Sequence, residues 1–164
     1  MYGSYEPFNK LTAAKGLLKQ LQGKWKSYTK PNEEFWEHEW EDHGNCAPGL
    51  PKAVKRGPQI AYFDLTVKMY DMFVQKLSQI IGKLKSTKGL KVKTVLDQFR
   101  KDLKASVEIT CKQRGRISEM HLCMPISTTK DNLKKRYPLV NCNRDLGRDY
   151  AGYCGGDNDP IVFN

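Results

Sequence analysis

The chain has 164 residues, 39% of them hydrophobic, with three Trp, eight Tyr and six Phe available for a core. This size and composition predict one globular domain spanning residues 1–164. The sequence contains no run of about 18 apolar residues, which argues against a membrane-spanning helix. The net charge of +10 predicts attraction to polyanions, but a basic surface suits RNA, DNA, heparin and anionic lipid equally well.

Helical periodicity and loop signals alternate in the first part of the chain. Apolar residues between Leu11 and Trp25 follow helical spacing, with lysines on the opposite side. Residues 26–32 contain a proline and predict a loop, after which Asn32 is expected to cap the next helix. Residues 44–59 hold three prolines and three glycines and predict an irregular loop.

The remainder predicts helices followed by strands. The apolar stripe from Phe63 to Leu84 predicts a long amphipathic helix, and residues 92–104 predict a shorter one. Residues 107–112 and 117–124 show strand-like alternation. Helices followed by strands predict an α+β fold, with helices packed against an antiparallel sheet.

The most informative segment is residues 35–46, FWEHEWEDHGNC, which contains two of the three histidines. In an α-helix Glu39 and His43 share a face, and His38 lies about 100° round from Glu39. A histidine titrates near neutrality, so such a cluster suits general acid–base chemistry or the binding of a phosphate.

A metal site is one alternative interpretation of these residues. Zinc proteases use HExxH, whereas the spacing here is HExxxH, which in an α-helix turns His43 about 140° away from His38. We therefore expect no metal and no cofactor. The other alternative is a surface helix whose Trp36 and Trp40 are simply buried.

The third histidine and the densest basic stretch have ordinary explanations. His121 falls on the strand face with Glu119, opposite the apolar Met120, and is predicted to be a surface histidine. The lysines between positions 83 and 93 suit an RNA-backbone track, but a solvated surface explains them more simply.

The segment at 35–46 resembles the second active-site segment of the ribonuclease T2 family, FWxHEWxKHGTC. The matching residues are Phe35, Trp36, His38, Glu39, Trp40, His43, Gly44 and Cys46. Weaker similarity covers nearly the whole chain, at residues 8–25, at residues 119–123 and in the closing segment around Cys154 and Phe163. The resemblance implies the α+β fold of that family.

The resemblance also implies an activity, the cleavage of single-stranded RNA. In that reaction the ribose 2′-hydroxyl attacks the neighbouring phosphorus, which gives a 2′,3′-cyclic phosphate and a free 5′-hydroxyl without a metal. His43 is then expected to be one of the acid–base pair, while His38 and Glu39 bind and polarise the phosphate. RNA is the implied partner, and the implied substrate-binding residues are Trp36, Trp40 and the residue at position 42.

Two departures from the family pattern affect the chemistry. The family has an upstream HGLWP segment whose histidine partners the one at the His43 position, but residues 1–34 contain no histidine. Asp42 stands where the family has a lysine, and because it lies four residues from His38, an ion pair between them is an alternative that the sequence leaves open. We therefore expect an endoribonuclease whose activity in this chain is low or absent.

The chain has five cysteines, and their pairing bears on the compartment in which the protein resides. Four of them lie between positions 111 and 154, and four cysteines allow three pairings. The nested pattern of the family implies Cys111–Cys154 and Cys123–Cys142, and leaves Cys46 unpaired because its family partner lies upstream. Such bonds indicate an oxidising compartment, and hence a secreted or vacuolar/lysosomal protein.

The start of the chain does not fit that route. Residues 1–7 have neither the charged nor the apolar region of a signal peptide. The missing signal, the missing histidine segment and the unpaired Cys46 share one explanation, that the N-terminal part of the fold is missing and the chain is the C-terminal two-thirds of a longer secreted protein. The alternative for Cys46 is an exposed thiol that dimerises the chain.

Three functional hypotheses result. The chain is a ribonuclease T2-like endoribonuclease that needs the missing segment for activity. Alternatively, it is an inactive relative that binds RNA through its basic surface, His38 and His43. The third hypothesis is a secreted interaction protein that uses its disulfide-bonded C-terminal region.

Overall fold

The computed structural model describes residues 7–9, 11, 14–45, 57–112, 115–124, 138–142 and 154–163. The chain divides into two compact units, an N-terminal unit of residues 1–75 and a C-terminal unit of residues 76–164. The single domain predicted over residues 1–164 stays a prediction.

Four α-helices and one π-helical segment lie within these residues. The helices are α1 (Lys15–Lys24), α2 (Asn32–His38), α3 (Pro58–Lys85) and α4 (Val92–Leu103), and the π segment is Glu39–Gly44. None of the described helices is long and apolar enough to cross a membrane.

Helix boundaries differ from the predictions at several ends. Helix α1 begins at Lys15, four residues after Leu11, and α3 begins at Pro58 inside the predicted loop. A proline fits the first helical position because it has no backbone N–H, and an N–H at this position would find no acceptor within the helix. The predicted capping role of Asn32 is wrong: Pro31 occupies the cap position, and the Asn32 Oδ1 accepts a hydrogen bond from the Ser27 backbone N–H at 2.9 Å.

The core of the N-terminal unit lies between α1, α2 with the π segment, and the first turns of α3. Its buried members share apolar side chains at helical spacing and are Leu11, Ala14, Leu17, Leu21, Trp36, Trp40, Ile60, Phe63 and Val67. Periodicity predicted the α1 and α3 contributions, because both helices bury one stripe and expose their lysines.

The sheet belongs to the C-terminal unit. Strand β1 (Glu108–Lys112) pairs with β2 (Arg116–His121) in antiparallel fashion, and β2 pairs with the short β3 (Val162–Phe163) in parallel. The described sheet is therefore antiparallel apart from its short β3 edge, and the predicted α+β class is confirmed. Helix α4 and the end of α3 pack against this sheet around Phe99 and Ile109, both buried.

Two disulfides tie the end of the chain to this unit. The structure contains Cys111–Cys154 and Cys123–Cys142, the nested pattern that the family resemblance implied. Cys154 holds the closing segment beside β1, and the carbonyl groups of Asp157 and Asp159 accept hydrogen bonds from the first backbone N–H groups of α4. A segment with only two strand residues is thereby fixed at the sheet edge.

Gly115 allows the closing segment around Pro160 and Val162 to approach the start of β2 closely. Its φ is +79°, and a Cβ at this position would lie 2.2 Å from the Pro160 carbonyl oxygen. The Gly115 carbonyl accepts a hydrogen bond from the Val162 N–H at 2.9 Å. Only glycine satisfies both the left-handed backbone and the close contact.

Candidate active site

Two buried indoles fix the orientation of the segment that carries the predicted site. Trp36 on α2 and Trp40 on the π segment are each only 1% exposed. The Trp36 Nε1 donates a hydrogen bond to the Trp25 carbonyl at 2.9 Å, and the Trp40 ring packs on Tyr62 of α3 with centroids 5.8 Å apart. With this side buried, His38 and His43 are exposed to solvent.

The helix widens where it carries these residues. From Glu39 to Gly44 the backbone is π-helical, and the Asn45 N–H donates to the Trp40 carbonyl, five residues back, at 2.8 Å. In a π-helix each turn closes on the fifth residue, so positions 38 and 43 come to the same side. The expectation that His43 is turned about 140° from His38 is wrong, because it assumed α-helical geometry throughout.

The widened turn brings three predicted catalytic residues together. The rings of His38 and His43 meet edge to face with their centroids 5.7 Å apart. One ring nitrogen of each histidine and a carboxylate oxygen of Glu39 all lie within 4.8 Å of one another. Two imidazoles and a carboxylate therefore converge on one solvent-facing patch, as the sequence predicted.

Asp42 closes on one member of this cluster. Its Oδ2 lies 2.8 Å from the His38 Nδ1, and the two side chains are 59% and 48% exposed. The pairing that the sequence left open is therefore present in the structure. Because this bond occupies Nδ1, the lone pair that remains on a neutral His38 ring is on Nε2.

Comparisons with known proteins identify the family. The model of the ribonuclease T2 family matches residues 3–145, which is most of the chain. The chain belongs to the ribonuclease T2 family. Ribonuclease Oy of Magallana gigas is 29% identical over 135 residues, which cover 78% of this chain and 59% of that protein. Ribonuclease T2 of Aspergillus oryzae is 39% identical over 59 residues, 35% of this chain and 21% of that one.

The fold has a solved counterpart. The crystal structure of a mutant of RNase MC1 in complex with 5′-GMP matches with a TM-score of 0.63 at 19% sequence identity, and the match covers 87% of this chain and 70% of that chain. At this level of identity the likeness establishes the fold alone. The chain spans less than two-thirds of the length of either of the two relatives compared above.

The charge around the ribonuclease T2 motif is opposite to that of the whole chain. Residues 32–45 carry no Lys or Arg, whereas the chain has a net charge of +10. The same fourteen residues hold six carboxylates, those of Glu33, Glu34, Glu37, Glu39, Glu41 and Asp42. The acidic groups of the first turn stabilise the N-terminus of α2, but together they give the motif a local potential that favours cations.

Tyr62 is a neighbour of the site that the sequence did not reveal. Burial against the indoles, together with the negative charge of Glu39, raises the pKa of its phenol from 10.0 to about 12. Tyr62 therefore stays protonated above pH 10, where an ordinary phenol begins to ionise. It belongs to α3, outside the motif, where it is half-buried and lies one residue before the predicted apolar stripe begins at Phe63.

The other residues that the sequence singled out lie beneath the cluster, outside the described residues or in the other unit. Trp36 and Trp40 are buried beneath the cluster, so in this structure they support it, and a substrate-binding role for them stays a prediction. Cys46 lies outside the described residues. The third histidine, His121, belongs to β2 of the C-terminal unit, where its Nε2 lies 3.4 Å from Glu119, and its predicted exposure is confirmed.

Gly44→Ala tests whether the widened turn depends on the missing side chain. A Cβ at Gly44 would lie 2.3 Å from the Trp40 Cε3, so the buried indole or the backbone has to move. We expect the free energy of unfolding to fall by about 1–3 kcal/mol, measured by urea denaturation. The control is Gly16→Ala in α1, whose Cβ meets nothing within 4 Å, and which should be neutral or slightly stabilising. Equal effects of the two variants would contradict this role of Gly44.

Tyr62→Phe tests the environment beside Glu39. The folded chain holds the Tyr62 proton between pH 10.0 and about 12, where an unfolded chain releases it. This contribution to stability is thus present below pH 10 and is lost as the pH rises towards 12. In an alkaline titration followed by near-ultraviolet absorbance, the native chain should show an ionisation near pH 12. The Tyr62→Phe variant should lack this ionisation. Tyr28→Phe, which removes a fully exposed phenol, is the control. Identical difference curves for the two variants would rule out a shielded Tyr62.

Proposed function

We propose that this chain supplies half of the catalytic centre of a ribonuclease T2-type endoribonuclease that cleaves single-stranded RNA. The observation that supports the proposal is the convergence of His38, Glu39 and His43 within 4.8 Å on one exposed patch. In this proposal His43 transfers a proton, and His38 and Glu39 hold the phosphate.

The reaction is a transesterification at phosphorus. The O2′–P bond forms while the P–O5′ bond breaks, a base takes the proton from the 2′-hydroxyl, and an acid gives one to the departing O5′. Donors that face the equatorial oxygens stabilise the charge of the phosphorane. His43 can serve as one partner of this acid–base pair, and the second partner is the group that the family places in the segment absent from residues 1–34.

Asp42 is expected to slow this reaction in the present chain. A carboxylate at the position of the family lysine removes a cation and adds an anion beside the phosphate. Its bond to the His38 Nδ1 also offsets the charge that a protonated imidazole would present to an anion. Since both groups are about half exposed, solvent and salt reduce the effect without abolishing it.

The alternative is a relative that binds RNA without cleaving it. The Asp42–His38 pair and the acidic motif favour this function, because they weaken the phosphate site while the 28 Lys and Arg side chains of the chain still attract a polyanion. We also propose a secreted or vacuolar/lysosomal location. The two disulfides support it, since such bonds persist in oxidising compartments.

The test is detection of the 2′,3′-cyclic phosphate product. The purified chain is incubated with a single-stranded RNA oligonucleotide, and the products are identified by mass spectrometry. Because the second acid–base partner is missing, we expect at most slow cleavage from the native chain, and none from His43→Ala. Asp42→Lys should raise kcat/KM about ten- to a hundredfold, or about 1.4–2.8 kcal/mol in activation free energy.

Asp64→Asn is the matched control for charge. Asp64 forms an exposed i,i+4 pair with Lys68 on α3, so its replacement removes one carboxylate from the same unit outside the motif. It should leave cleavage unchanged. If neither the native chain nor Asp42→Lys gives a cyclic product, cleavage is excluded and RNA binding remains. RNA affinity that is insensitive to His43→Ala would then argue against binding at this site.

A further inference from the structure

We propose that His38, Glu39 and His43 form a binding site for a divalent transition metal, with Zn²⁺ as the best match, and that Asp42 acts as the outer carboxylate that orients His38. This inference goes beyond the proposed RNA reaction and does not rest on it. The π segment carries it, because an α-helix would separate the two imidazoles.

The distances suit such an ion. A tetrahedral Zn²⁺ with bonds of about 2.1 Å holds its ligand atoms about 3.4 Å apart. The three donor atoms already lie within 4.8 Å of one another, so the widest pair has to close by no more than roughly 1.4 Å. Both imidazoles are exposed, which leaves them free to make this adjustment by side-chain rotation. The fourth position then faces solvent and takes water.

The donor set also selects the class of metal. Two imidazole nitrogens and one carboxylate oxygen suit Zn²⁺, and they suit Mg²⁺ and Ca²⁺ poorly because those ions prefer oxygen ligands. The Asp42 Oδ2, 2.8 Å from the His38 Nδ1, repeats the carboxylate–histidine arrangement that orients metal-bound imidazoles. Since that bond occupies Nδ1, Nε2 is the nitrogen of His38 that remains available to a metal.

The negative charge of the motif also favours a metal ion. The segment of residues 32–45 holds six carboxylates and no Lys or Arg, so a dication is attracted where a phosphate is repelled. The family has a lysine at this position, which would repel a metal ion. Asp42 of this chain lacks that positive charge and supplies the outer carboxylate. One residue therefore changes the preference of the cluster from an anion towards a metal ion.

A metal at this site has a consequence for the acid–base role. A ring nitrogen that is bonded to Zn²⁺ has no lone pair with which to accept a proton. Occupation by metal and proton transfer by His43 therefore exclude one another. Metal binding is still measurable without RNA, so the two proposals can fail separately.

The test is calorimetric titration of the intact, disulfide-bonded chain with ZnCl₂. We expect saturable 1:1 binding with no comparable signal from MgCl₂. His43→Ala should weaken Zn²⁺ affinity by at least ~100-fold, and Asp42→Ala by about 10–100-fold, the effect typical of an outer ligand. His121→Ala is the control, since it removes a histidine with its own carboxylate neighbour, and it should leave affinity unchanged. Far-ultraviolet circular dichroism checks that each variant keeps its helices.

Three results would overturn the metal site. The first is the absence of saturable Zn²⁺ binding. The second is equal affinity in the native chain and in His43→Ala. The third is loss of binding in Cys46→Ser with full binding in His43→Ala, which would assign the metal to a thiol. Absorption of Co²⁺ in place of Zn²⁺ gives a further readout, because a tetrahedral site produces strong visible bands that the histidine variants should lose.

Discussion

Burial of two indoles, four residues apart in sequence, holds the helical segment that carries His38, Glu39, Asp42 and His43 of the candidate site. Trp36 and Trp40 anchor one side of this segment in the core of the N-terminal unit, so the opposite side has to face solvent. Gly44 lies directly against the Trp40 ring, where a side chain would not fit. The backbone then closes its turn on the fifth residue, and His38 and His43 meet on one side.

The residue types of the site suit the binding of a phosphate, whereas its negative local charge favours cations. The cluster of His38, Glu39 and His43 has the residue types that transesterification of RNA uses, and the chain as a whole is basic. Its immediate surroundings are acidic, and Asp42 bonds directly to one imidazole. In the function we propose, long-range attraction of RNA and short-range repulsion of its phosphate oppose each other at this site, and the charge at position 42 is expected to decide their balance.

Sequence patterns predicted much of the fold and most of the cluster. The stripe from Phe63 to Leu84 predicted α3, because burial of one helix face imposes a regular apolar spacing. The motif predicted which side chains gather, and the family resemblance, rather than spacing, selected Cys111–Cys154 and Cys123–Cys142 from three pairings. Both disulfides are present in the structure.

Features that depend on tertiary contacts could not be predicted in this way. The π turn accompanies the packing of Trp40 on α3 and the absence of a side chain at Gly44, and neither feature has a periodic signal. Tyr62 joins the site from another helix, where it lies outside the predicted apolar stripe that begins at Phe63, so the periodicity gave no signal for it. Strand β3 has two residues, and it is held by a disulfide and by the close approach at Gly115, so no alternation could reveal it.

The most direct test of the central claim is a nuclear Overhauser measurement between imidazole rings in the labelled native chain. The ring protons of His38 and His43 are assigned with His38→Gln and His43→Gln variants. With centroids 5.7 Å apart, the two rings should give a mutual cross-peak that either variant removes. If the backbone signals show a regular α-helix through residues 39–44 and no cross-peak joins the rings, the two histidines do not converge and the account is contradicted.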